Sequence, residues 1–128
     1  MPPKVLLVDD EPLMHMLYKG HIDKAGYEMI SAKGGEEGLL LAKSERPAII
    51  IMDVMLTGMN GLAALRELKN DPATKEIPVI VITAAASQQH HATRQESIAS
   101  GAALFMTKPI GPAQLVAEIQ RLAPLPET

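Results

Sequence analysis

Five short apolar runs recur along the chain, at Val5 to Val8, Met29 to Ala32, Ala48 to Met52, Val79 to Thr83 and Leu104 to Thr107, separated by longer stretches of helical character. Strand-length runs alternating with helix-length ones point to an α/β domain built on a parallel sheet, because parallel neighbours need a crossover between them. Ile49-Ile50-Ile51 and Val79-Ile80-Val81-Ile82 are unbroken and β-branched, as suits central strands covered on both faces. Glu28 and Ser31 break the second run, which places that strand at an edge.

The stretches between carry helix signals. In the first, Met14, Leu17, Tyr18, Ile22 and Ala25 make one apolar face, Glu11 and Pro12 supply a start, and Gly26 stands where a stop is expected. The second is weak at its start, where Gly34, Gly35 and Gly38 read as helix-breaking turn residues without the lysine-serine or lysine-threonine of a nucleotide loop. The fourth, near Gln88 to Ser100, is polar, with only Ala92, Ile98 and Ala99 to bury, and its packing is expected to be loose. The last begins at Pro112, repeats Leu115, Ile119 and Leu122, and stops at Pro124. A length of 128 residues with 47% hydrophobic content suits one compact unit, expected over 1–124 with a tail at 125–128.

Several function classes are disfavoured. A net charge of -3, no lysine or arginine block, one Phe and two Tyr give little footing for DNA or RNA. The absence of cysteine excludes disulfides and thiolate metal sites. The Val5 to Val8 run is too short for a signal-peptide core or a membrane span, so a soluble, cytoplasmic protein without membrane insertion is expected.

The polar residues at the strand ends carry the functional signal. Asp9 and Asp10 follow the first run, Asp53 the third, Thr83 closes the fourth, and Lys108 follows the fifth. In an open α/β sheet the binding crevice lies beyond the carboxyl ends of the strands, so three carboxylates, a hydroxyl and an ammonium are expected on one rim. Such an anion cluster is costly to bury unless a cation neutralises it.

Val8-Asp9-Asp10-Glu11-Pro12, Met52-Asp53-Val54-Met55-Leu56 with Gly58-Met59-Asn60-Gly61, Val81-Ile82-Thr83-Ala84 and Thr107-Lys108-Pro109 together resemble the receiver domain of two-component response regulators, over nearly the whole chain. The resemblance implies a flavodoxin-like (βα)5 three-layer sandwich with a five-stranded parallel sheet of order 2-1-3-4-5. It implies that Asp53 is the phosphoacceptor and that Mg2+ is held by Asp10, Asp53 and the backbone carbonyl of Met55, with Asp9 acting through water. The formal charges agree, since a divalent cation and Lys108 together cancel three ionised aspartates, and Mg2+ favours such oxygen ligands. Thr83 and Lys108 would bind the phosphoryl group and Phe105 would turn inward, altering the surface of the fourth helix, fifth strand and fifth helix. A cis Lys108-Pro109 bond is also implied. The partners would be a sensor histidine kinase or histidine phosphotransfer protein in a phosphorelay, and a downstream protein target. The chain would assist its own phosphorylation and dephosphorylation without being an enzyme in the turnover sense.

Some residues depart from the pattern or stand outside it. Thr57 replaces the usual proline, and Met55 and Ala85 occupy positions that in the family influence water access to the acyl phosphate, with slow dephosphorylation expected from Met55. Leu13, Met16 and Gly20 repeat on a second face of the first helix and could seat a partner helix. His15, His21, His90 and His91 are read as solvated surface, without acidic or thiolate ligands at metal spacing beside them. Two other readings stay open: an aspartate-nucleophile, Mg-dependent phosphatase, disfavoured by an apolar Met55 where a leaving-group acid is wanted, and a scaffold that is not phosphorylated. A chain complete at this length would act through a protein partner, whereas a piece of a longer regulator would leave its output elsewhere.

Overall fold

The computed structural model describes residues 2–54, 60–84 and 90–126, with backbone alone at 84 and 90–93. The elements alternate as expected: β1 (Lys4–Val8), α1 (Pro12–Lys24), β2 (Glu28–Ala32), α2 (Gly35–Glu45), β3 (Ile49–Asp53), α3 (Gly61–Asn70), β4 (Val79–Ala84), α4 (His90–Ala99), β5 (Leu104–Lys108) and α5 (Pro112–Leu122). All strand pairs are parallel and the order is β2-β1-β3-β4-β5, so the broken second run does lie at an edge.

Side chains alternate along each strand, and the sequence exploits both faces. Val5, Leu7, Ile49, Ile51, Ile80 and Ile82 pack with Tyr18 and Ile22 of α1 and Leu115 and Ile119 of α5. Leu6, Val8, Ile50, Met52, Val79 and Val81 pack on the other face with Ala42 of α2 and Leu62, Leu65 and Leu68 of α3. Every residue of β3 is buried, which accounts for its lack of polar alternation until Asp53. Each fully buried Leu or Ile contributes about 2 kcal/mol of transfer free energy, enough to hold the polar rim of the sheet in place.

Helix ends follow local chemistry. Pro12 opens α1 where an N–H would be unpaired anyway. At its far end Gly26 adopts φ 104°, and Tyr27 N–H donates to the Ile22 carbonyl while Gly26 N–H donates to Asp23. This reciprocal pair with the Ile22–Tyr27 apolar contact is a Schellman stop. The Leu125 side chain lies over Gly26, at 2.9 Å from where a Cβ would stand.

Three expectations need correction. Leu17 is 47% exposed, outside the α1 core face. Met14, Tyr18, Ile22 and Ala25 already define that face, and a step of about 100° from Tyr18 turns Leu17 onto the rim. Among the described side chains of α4, 94–99, the inward one is Ser97, fully buried, while Ile98 and Ala99 are exposed, and the side chain of Ala92 lies outside those described. The turn that closes α4 fixes this rotation: Gly101 N–H donates to Ile98 and Ala102 N–H to Ser97. Gly38 is not a turn residue but a buried helical contact, since a Cβ there would stand 2.9 Å from Val8 Cγ2 as α2 crosses β1. Among the described residues no helix is long and apolar enough to cross a membrane.

Gly61, at the start of α3, makes the tightest approach to the rim. Its N–H donates to the Val54 carbonyl at 2.9 Å, and a Cβ would collide with the Asp53 carbonyl oxygen and lie 2.8 Å from Val54 Cα. Backbone cannot yield as a flexible side chain would, so Gly61→Ala is expected to lower unfolding free energy by about 2 kcal/mol, read from urea denaturation. An unchanged midpoint would show that α3 does not press on the Asp53 backbone as described.

Candidate functional site

The sheet register assembles the rim. Val8 pairs with Met52, Asp53 with Ile82, Thr83 with Thr107 and Ala84 with Lys108. Asp53 continues the row of Ile49 and Ile51, and Lys108 the row of Leu104 and Met106, on the α1/α5 side. Thr83 continues the row of Val79 and Val81 on the opposite side, where half-buried Phe105 also packs. Phe105 pairs with Val81, two residues before Thr83.

The charged groups meet as expected for three of the site residues. Lys108 Nζ donates to Asp53 Oδ2 at 2.7 Å and to Asp9 Oδ2 at 3.3 Å, and lies 3.8 Å from Glu11 Oε1. Asp9 is fully buried, and Asp53 and Thr83 nearly so. The other oxygen of Asp9, Oδ1, accepts the Glu11 backbone N–H at 2.9 Å. Exposed Asp10 joins them, because the carboxylate oxygens of Asp9, Asp10 and Glu11 lie within 4.8 Å of one another.

Electrostatics follow from this crowding. Burial pushes the Asp9 carboxyl above its ordinary range, the Glu11 N–H and Lys108 oppose that rise, and the Asp53 charge adds to it. Burial would depress the Lys108 ammonium, but its bond to Asp53 and the charges of Asp53 and Asp9 outweigh burial and raise it. Lys108 therefore remains a cation at neutral pH, facing more negative charge than it can cancel. An anionic, all-oxygen donor set of this kind fits a hard divalent cation of the Mg2+ class, with Asp9, Asp10, Asp53 and Glu11 available.

Second contacts fix the scaffold around the charges. Tyr18 donates its hydroxyl to the Ile110 carbonyl at 2.8 Å, tying α1 to the turn after the Lys108-Pro109 bond, which is cis. His15 is not solvated surface, contrary to expectation: its Nε2 lies 2.7 Å from the Asp9 carbonyl and its Nδ1 2.9 Å from Ser31 Oγ. Glu11 was expected only as a helix start, yet it belongs to the carboxylate cluster. Its place directly after the aspartate pair was the available signal. For His15 the signal was position one turn into α1, facing a strand-end serine.

Beside the rim, Leu13 and Met16 are 73% and 75% exposed, and Leu17 joins them. His21 is exposed and Gly20 has open space where a Cβ would stand. Met55, Thr57, Gly58 and Ala85 lie outside the described residues, as do the side chains of His90 and His91.

The family model for the response regulator receiver domain matches residues 5–120. Response regulator PleD of Caulobacter vibrioides is 37% identical over 122 residues, 95% of this chain, which spans only 26% of the length of PleD. Protein PilH of Pseudomonas aeruginosa is 31% identical over 116 residues, covering 91% of this chain and 93% of PilH. The receiver domain of sensor histidine kinase PA1611 from Pseudomonas aeruginosa, solved with a magnesium ion coordinated in its active site cleft, matches with a TM-score of 0.84 at 26% identity, covering 96% of this chain and 98% of that one. With its strand order, its rim of strand-end carboxylates and lysine, and these similarities, the chain belongs to the response regulator receiver domains of two-component signalling.

Proposed function

We propose that this chain is a phosphorylation-dependent switch in which Asp53 accepts a phosphoryl group from a phosphohistidine on a sensor histidine kinase or histidine phosphotransfer protein. The observation that carries this reading is the Lys108 ammonium, 2.7 Å from Asp53 Oδ2, positioned to meet the charge that a phosphoryl group would add there. Asp9 is the less accessible nucleophile, since it is fully buried whereas Asp53 keeps slight exposure. In the transfer, an Asp53 oxygen forms a bond to phosphorus as the donor's N–P bond breaks, and that bond's electron pair returns to the imidazole nitrogen. Positioning and charge are the protein's contribution, with little proton transfer required.

Asp10, Asp53 and the Met55 backbone carbonyl would hold Mg2+, with Asp9 acting through water; the magnesium ion named in the active site cleft of the PA1611 receiver domain supports the choice of ion. When bound, the ion supplies neutralisation of charge on the transferring oxygens. After transfer, Thr83 hydrogen-bonds the phosphoryl group and Lys108 pairs with it. Movement of Thr83 frees space in its row of the sheet, into which Phe105 turns, changing the α4-β5-α5 surface read by a protein target. Met55 and Ala85 govern the lifetime of the phosphorylated form, and the exposed Leu13 and Met16 seat the phosphodonor. The chain does not turn over a substrate.

Incubation with acetyl phosphate and Mg2+ is expected to add one phosphoryl group to the wild type by intact mass and none to Asp53→Asn. Equal gain in that variant would refute Asp53 as acceptor, and multiple turnover of a chromogenic monoester would point to a phosphatase. The Asp9 carboxyl has a raised pKa when folded, so between its ordinary value and the raised one the folded state binds more protons than the unfolded state. Its contribution to stability therefore falls as pH rises through that window, and the full penalty applies above the raised value. Relative to wild type, Asp9→Asn should accordingly raise the urea midpoint more at alkaline than at acidic pH in chelator-treated buffer while weakening Mg2+ binding; the opposite pH trend would contradict this. Met16→Lys should slow transfer from a partner about tenfold yet leave labelling by acetyl phosphate intact, a loss of about 1.4 kcal/mol in the docked state. Equal loss with both donors would locate the effect in folding instead of docking.

A further inference from the structure

The peptide that joins Asp9 to Asp10 leaves the sheet at the point where ladder pairing ends. Asp9 N–H still donates to the Ala32 carbonyl at 3.1 Å, but the Asp9 carbonyl oxygen is taken by a side chain, His15 Nε2 at 2.7 Å. A carbonyl only accepts, so Nε2 must carry a hydrogen. In the neutral imidazole Nδ1 is then an acceptor, and Ser31 Oγ at 2.9 Å is the hydroxyl that donates to it. The Asp9 carbonyl thus sets the tautomer of His15, and Ser31, on the edge strand β2, orients the ring of this α1 histidine that holds the backbone of the acidic loop.

The consequence is geometric. The Asp9 oxygen and the Asp10 nitrogen share one rigid peptide plane, so fixing that oxygen fixes the plane's rotation and with it the direction in which Asp10 leaves the chain. The Asp9 side chain is held separately, by Glu11 N–H and Lys108. We infer that His15, oriented by Ser31, is a positioning residue for the metal and phosphoryl site, acting through the backbone of the Asp9-Asp10 peptide rather than by a bond to either carboxylate. This rests on the reading of Asp9, Asp10 and Asp53 as the Mg2+ and phosphoacceptor site.

The test is Mg2+ affinity by titration calorimetry on the full chain, compared with urea midpoints measured without Mg2+. His15→Leu removes the donor and should weaken Mg2+ binding about tenfold, the lower end for second contacts around a metal site. His15→Gln, whose amide N–H can replace Nε2, should restore affinity to within about threefold of wild type. Ser31→Ala should weaken binding less than His15→Leu does, and should add nothing in the His15→Leu background. Imidazole 15N shifts at mildly alkaline pH should show Nε2 protonated and Nδ1 bare. A structural role alone would lower the urea midpoint without changing Mg2+ affinity, and that result overturns the inference. Equal losses for His15→Leu and His15→Gln, or a protonated Nδ1 in the neutral ring, overturn it as well. Should His15→Leu fail to fold, an unchanged affinity in Ser31→Ala decides against it. Wild type that binds no Mg2+ would remove the phosphoacceptor reading itself, and is seen before any variant is made.

Discussion

The contact between Lys108 and two buried carboxylates, Asp53 at 2.7 Å and Asp9 at 3.3 Å, is the interaction around which the rest of the molecule is organised. Buried charge is tolerated when it is paired, and here the pairing is incomplete: Asp9, Glu11 and Asp53 share one ammonium, and Asp10 adds its charge beside Asp9 and Glu11. The apolar strands make that arrangement possible. β3 is buried along its whole length and β1 nearly so, and their packing holds the charged ends in register although the charges repel. Residual negative charge is the property that would attract a cation, and under the proposed function that cation and Lys108 together offset the charge of the phosphoryl group, so a local electrostatic cost and the proposed signalling role have the same origin.

The sheet also separates chemistry from readout. Asp53 and Lys108 belong to the rows that face α1 and α5, whereas Thr83 and Phe105 belong to the rows that face α2 and α3. Under the proposed function, a group added at Asp53 is felt across the sheet through Thr83, at the end of the neighbouring strand. Phe105 is half-buried on the same side of the sheet, and under that proposal, with no hydroxyl, it would exchange positions chiefly by packing. The Arg66–Glu96 pair at 3.4 Å, between α3 and α4, is exposed and adds little to that coupling.

Legibility in the sequence tracks the type of interaction. Strands and their order followed from runs such as Ile49-Ile50-Ile51 and from motif resemblance, because continuous apolar runs have few ways to be buried. Asp9, Asp53 and Lys108 were legible because a strand end leaves a polar residue few places to go. Glu11 and His15 were not, since their partners are a carboxylate cluster and a backbone carbonyl, set by loop path and helix phase rather than by pattern. Gly38 was misread for a related reason: a helix–strand close approach and a turn both select glycine. Ser97 and Leu17 show that helix rotation is decided by end turns and by larger neighbours, which outweigh the hydrophobicity of a single residue.

The central claim is that the incompletely balanced pocket lets one particular carboxylate carry the phosphoryl group. Borohydride reduction of the phosphorylated chain, followed by peptide mapping, tests it most directly, because an aspartyl phosphate is reduced to homoserine at the modified position. Homoserine at position 53 alone is the expected result. Homoserine at position 9 or 10, or a reduced chain unchanged at all three positions after full labelling, would contradict it.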